Sequence, residues 1–179
     1  MVTNLVDAIQ KNLGYPPLGK VDPNSQEIKG AKKMSSAQKL PQAAIPAVLA
    51  AMIKYSDGTD GINLLTPHEN RNWLGTFYSR KEKEAIKKVA DYAGVGMDEA
   101  QRNMEDISNE AVRLVKESVK NADAEKLRSY MNSQRHSILS HLPAVLKIGD
   151  TLNEETFDDR TNKMEGPVSS FLHKIENRI

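Results

Sequence analysis

The stretch AAIPAVLAAMI, residues 43–53, is the longest nearly apolar run in the chain, and it carries a proline in its interior. Its centre, IPAVL at 45–49, is echoed by LPAVL at 142–146. An interior proline removes one helical hydrogen bond and clashes with the carbonyl four residues back, at about 3 kcal/mol. Two arrangements reduce that cost. A new helix starts at the proline, or the helix bends and neighbours satisfy the freed carbonyl. The contexts are alike: SAQK (36–39) precedes the first segment and NSQR (132–135) the second, and each ends at paired Gly and Asp. Each is therefore expected to be a bent helix or helix pair that turns a short apolar helix into the core. Eleven residues are too few to cross a bilayer, which takes about 20.

Working outward, the punctuation is helical. Ser35/Gln38, Thr66/Glu69, Ser79/Glu82, Asp98/Gln101 and Thr151/Glu154 each have the spacing of a capping box, in which two side chains satisfy free amides at a helix start. Val2, Leu5, Val6, Ile9 and Leu13 mark one helical face that stops at Gly14. Pro67 stands where a helix would begin, with Trp73, Leu74, Phe77 and Tyr78 on one side beyond it. Ala85, Ile86, Val89, Ala90 and Ala93 line a helix ending at Gly94. Met97, Ala100, Met104, Ile107, Ala111, Leu114 and Ser118 form the longest stripe, suited to a bundle core or a dimer seam. Leu127, Tyr130, Met131, Ile138 and Leu139 make another, and Val168, Phe171, Leu172, Ile175 and Ile179 a last one after Pro167. No two-residue alternation is evident. The expectation is an all-α, multi-helix bundle of about seven or eight helices with two proline-bent segments.

Residues 14–34, GYPPLGKVDPNSQEIKGAKKM, have three prolines, three glycines and no period. They divide the chain into an N-terminal helix (1–13), an extended strap or linker (14–34) and a bundle (35–179), within one domain overall. A surface strap is the plain reading of 14–34, and docking of Tyr15-Pro16-Pro17 into a partner groove is the functional one.

QAAIPAVLAAMIKYSDGTDGINLL, AIKKVADYAGVGMDEAQRNMEDI and QRHSILSHLPAVL together resemble the bacterial YidB-like proteins, an all-helical family. The likeness covers about residues 36–148 and implies a helical bundle. It implies no site, since its motifs hold no reactive residue. The chain departs from the pattern in having few glycines, in Trp73, in the charged 79–91 helix and in the segment after Asp150.

Composition narrows function. With 25 Lys and Arg against 24 Asp and Glu, no net field draws nucleic acid or an anionic membrane. The absence of cysteine excludes disulfides, a thiol nucleophile and Cys-based zinc sites, and it fits a reducing, cytoplasmic setting. The start, MVTNLVDAIQKN, lacks the basic-then-apolar order of a secretory signal.

Candidate chemistry is sparse. His68-Glu69 lacks a second histidine at position 72, where Asn72 stands, so capping by Glu69 is the stronger reading. His136 and His141, five apart, diverge by some 140° around a helix. Asp57-Gly58-Thr59-Asp60-Gly61-Ile62-Asn63 fails the spacing of a calcium loop at its sixth and twelfth positions, and reads as a polar turn. Gly94-Val95-Gly96 follows a helix and reads as a helix stop. SRKEKEAIKK (79–88) alternates in sign, as a solvated face does. The expectation is a non-enzymatic module, acting by self-association as a homo-oligomer or by binding a protein partner, with no cofactor, nucleic acid or membrane. The alternative is a metal- or small-ligand-binding helical enzyme using His68, His136 and His141 with nearby carboxylates.

Overall fold

The apolar run lies within a single helix, α2 (Ser36–Asp57), which passes unbroken through Pro41 and Pro46. The computed structural model describes residues 4–67, 71–120 and 123–158. Within them the architecture is all-helical. Seven α-helices follow in the order α1 (Leu5–Leu13), α2, α3 (Trp73–Tyr78), α4 (Glu82–Ala93), α5 (Met97–Ser118), α6 (Ala124–His141) and α7 (Ile148–Leu152), with short 3-10 turns between some of them. Among the described residues the only extended pairing is one antiparallel bridge, Val21 with Ile28.

Helix α2 is buried on all sides from Leu40 to Ile53. A helix apolar all round must be wrapped by others, and α3, α4, α5, α6 and α7 all pack against it. Fully burying one Val, Leu, Ile or Met side chain stabilises by about 1.5–3 kcal/mol. Val48, Leu49, Met52 and Ile53, all at 0% exposure, thus outweigh the interior prolines. The second proline segment follows another course. Helix α6 ends at His141, Pro143 leads into the 3-10 turn Ala144–Leu146, and α7 begins at Ile148. The two segments share a sequence pattern but not a backbone path.

Helix ends fall where chain chemistry stops them. Gly14 and Gly94 take left-handed backbone (φ +71° and +70°) and close α1 and α4. Of the five expected capping boxes, Ser35/Gln38 forms at the start of α2, with Ser35 N donating to Gln38 Oε1 at 3.0 Å. Three of the others need correction, and the fourth, Thr66/Glu69, lies partly outside the described residues. Helix α3 starts not at Pro67 but at Trp73, because Asn72 Oδ1 takes the Gly75 amide at 2.8 Å; Glu69 lies outside the described residues. Ser79 closes α3 and Glu82 opens α4 after a 3-10 turn, so they do not pair as cap and third residue. Gly96 precedes α5, which puts Asp98 in its first turn. Thr151 lies inside α7 and bonds Glu84 across the fold (3.0 Å).

The long α5 stripe is spent inside the chain: Ala100, Met104, Ile107, Ala111 and Leu114 are buried against α1, α2, α3 and α4. Only its ends, Met97 and Ser118, are exposed. The helix expected after Pro167 lies outside the described residues, as does Val2.

Candidate functional site

The 14–34 segment is a strap fastened at both ends of its course. The Tyr15 hydroxyl, half-buried, accepts from Asn103 Nδ2 of α5 at 2.7 Å, which ties the start of the strap to the bundle. Burial pushes the Tyr15 phenol up, and Asp106 adds to the shift. Gly19 then meets Gln42 of α2, and the Val21 amide donates to the Ser140 carbonyl of α6 at 2.8 Å. A tight reversal follows: Gln26 N donates to Asp22 O and Asp22 N to Glu27 O, both at 2.8 Å, with Gln26 at φ +56°. The returning arm buries Ile28, at 4% exposure, beneath the strap and continues into the basic turn Ala31–Lys33.

This reversal leaves a groove of about 310 Å³ between the strap, the start of α2, the end of α4 and the turn after α6. Ile28, Tyr92, Pro143 and Val145 give it an apolar lining, and Lys32 and Lys39 stand on its walls, with Glu27 the one acid among the described residues that line it. Val145 is 73% exposed, the most exposed large apolar side chain among the described residues. A valine in that position is held there by the 3-10 turn, whose Leu146 amide donates to the Pro143 carbonyl (3.2 Å). Lys147 after it adopts left-handed backbone (φ +46°). Burial pushes the Tyr92 phenol up, so it stays protonated as a donor near neutrality.

The histidines fall differently. His141 is buried at the end of α6, with Nδ1 2.7 Å from the Ser137 carbonyl. An acceptor of that kind requires the proton on Nδ1. His136 is exposed on the same helix, and His68 and His173 lie outside the described residues. Among the described residues no group of three or more His, Cys, Asp or Glu side chains is placed to hold a metal ion. The 57–63 segment forms the end of α2 and a 3-10 turn from Gly61 to Leu64. The 79–91 region is a solvated face in part, with Lys87 and Asp91 paired at 2.5 Å. Lys88, however, turns to the Lys147 carbonyl and Thr151 hydroxyl.

Sequence reading missed the groove. Its wall residues sit at positions 28, 92 and 145, and no local motif links them. The nearest signal was the echo of LPAVL, which marked a break after α6 but was read as a bend into the core, whereas Val145 faces out.

No helix among the described residues is long and apolar enough to cross a membrane. Compared with known proteins, the chain matches no family model, and no curated sequence or solved structure aligns with it significantly.

Proposed function

We propose that the protein is a non-enzymatic interaction module that holds an acidic, apolar-faced segment of a protein partner in the strap groove. The observation that carries this reading is Val145, held 73% exposed beside Pro143 and Tyr92 on the wall of a preformed groove. Lone exposed apolar residues are ordinary. One that continues an apolar groove is a candidate anchor. Charge complementarity specifies the occupant. Lys32 and Lys39 line the groove and Lys33 lies beside it in the same turn, against Glu27, so carboxylates on the partner are attracted. Kinship with the YidB-like proteins is proposed alongside, and it carries a helical scaffold and no site.

The test is fluorescence anisotropy with a labelled peptide patterned in Leu and Glu, compared with one in which Lys replaces Glu. Selective binding of the acidic peptide, weakened by salt and lost in Val145→Asp, is the expected result. Equal binding of both peptides, or indifference to Val145→Asp, overturns the reading. A homodimer in native mass spectrometry that Val145→Asp dissolves would make a second copy the occupant and overturn it as well.

A further inference from the structure

A second concavity lies on a different part of the surface. It is an open cleft of about 840 Å³ bounded by the end of α2, the 58–60 turn, α3 with the turn that follows it, and the end of α7. That volume falls within the range of small-molecule sites. Its apolar part is supplied by Tyr55, Phe77 and Leu152, and the Tyr55 and Phe77 rings sit 5.5 Å apart in a tilted pair.

Among the described residues four cations line it, Lys54, Arg71, Arg80 and Lys81, against the one carboxylate of Asp60. They are not equivalent. Lys54 Nζ is committed to the carbonyls of Leu152 and Asn153, and Lys81 pairs with Glu84 at 2.8 Å. Arg71 is oriented by its Nε bond to Thr76 Oγ1 (3.2 Å) and by stacking 4.9 Å from the Trp73 ring centre. Arg80 makes no hydrogen bond or ion pair among the described residues. In a chain this evenly charged, a guanidinium unpaired among the described residues, lining the same cleft as an oriented one, is an anion site in waiting.

The backbone supplies an independent observation. Ser79, one of the lining residues, has φ +50° and ψ −125°, a region that glycine tolerates and serine does not. Strain of this kind clusters at active sites, ligand clamps and switch regions. Here it sets the turn that carries Arg80 and Lys81 to the cleft.

We infer that this cleft binds an organic phosphate monoester, its oxyanion on Arg80 and Arg71 and its apolar body on Tyr55 and Phe77. This inference is independent of the strap groove. Phenyl phosphate is the probe, titrated calorimetrically into the full chain beside inorganic phosphate and vesicles containing phosphatidic acid. Phenyl phosphate should bind saturably and more tightly than inorganic phosphate, and Arg80→Ala should weaken it about tenfold, the scale of one charge-assisted contact. Lys87→Ala, the same charge change outside the cleft, should leave it unaltered. Lack of saturation by phenyl phosphate overturns the inference, as does an equal loss in Lys87→Ala, undiminished binding in Arg80→Ala, or binding confined to the vesicles. Arg80 holds nothing among the described residues, so its variant should keep the wild-type melting temperature. Retained stability with lost binding separates recognition from folding.

Discussion

Gln42 and Gly19 grip each other through both halves of one side-chain amide. The Gly19 amide donates to Gln42 Oε1 at 2.7 Å, and Gln42 Nε2 returns a bond to the Gly19 carbonyl at 3.1 Å. The same Nε2 reaches the His141 carbonyl at 2.8 Å. Gln42 is wholly buried in α2, so one side chain fastens the strap and the end of α6 to the central helix. Buried polar groups that lose a partner cost about 1–3 kcal/mol each. Gln42→Ala should therefore lower unfolding stability by about 2–3 kcal/mol in urea melts. A loss no larger than that of a surface substitution would mean the strap is held by apolar contact alone.

Gly19 has its own constraint. A β-carbon there would stand 2.7 Å from Ile28 Cγ2, on a buried β-branched side chain with little rotamer freedom. Gly19→Ala should cost about 1–3 kcal/mol as overpacking. Paired with Ile28→Ala, which removes the clashing methyl, it should cost less than the sum of the two single losses.

Asp158 caps α7 from beyond its end, its carboxylate accepting from the Gly149 and Asp150 amides at 2.9 and 2.7 Å. A β-carbon on Gly149 would lie 2.5 Å from Asp158 Oδ2 and 2.6 Å from the Glu154 carbonyl. Asp158→Ala is expected to cost about 1 kcal/mol, as loss of a cap does. Gly149→Ala should cost more. The double variant should not recover wild-type stability, because the backbone carbonyl still obstructs the methyl.

The Ser79 backbone predicts an ordering that does not depend on contacts. Ser79→Gly relieves the positive φ, whereas Ser79→Ala keeps it. The glycine variant should exceed the alanine variant by about 1 kcal/mol in thermal melts, against the usual preference for alanine. The reverse order would show that the turn is unstrained.

A hydrogen bond from Lys81 holds the Glu84 carboxyl below the usual glutamate range, with the Thr151 hydroxyl and the charges of Lys81 and Lys88 adding to the effect. A depressed folded pKa stabilises above the unfolded value and loses that contribution as pH falls through the folded one. The wild type should therefore lose stability between about pH 5 and pH 3 more steeply than Glu84→Gln. The difference should be small, because Glu84 is partly exposed and its pairs are screened. Parallel slopes would remove Glu84 from the acid response.

What the sequence disclosed follows from range. Helices α1, α4 and α5 were legible because an apolar face and, for α1 and α4, a terminal glycine lie within one helix length, as with Ile9 and Gly14 or Val89 and Gly94. The start of α3 was misplaced because Thr66-Pro67 looks like a cap while Asn72, a common turn residue, does the capping. Gln42 was opaque. Nothing near it separates a buried tether from a polar residue on a helix surface, since its partners lie 23 and 99 residues away. Both concavities share that opacity, being assembled from segments on separate elements.

The Gln42 tether also bears on which parts of the molecule open together. Gly19 and His141 hang on the same amide, and the Val21 amide rests on the Ser140 carbonyl. Detaching the strap therefore exposes the end of α6, and fraying of α6 releases the strap. In hydrogen exchange the amides of Gly19 and Val21 should behave as one cooperative unit, with a common opening free energy below that of the core amides of α2. The walls around Ile28 and Pro143 border this unit. A peptide seated between them would slow exchange at residues it never touches.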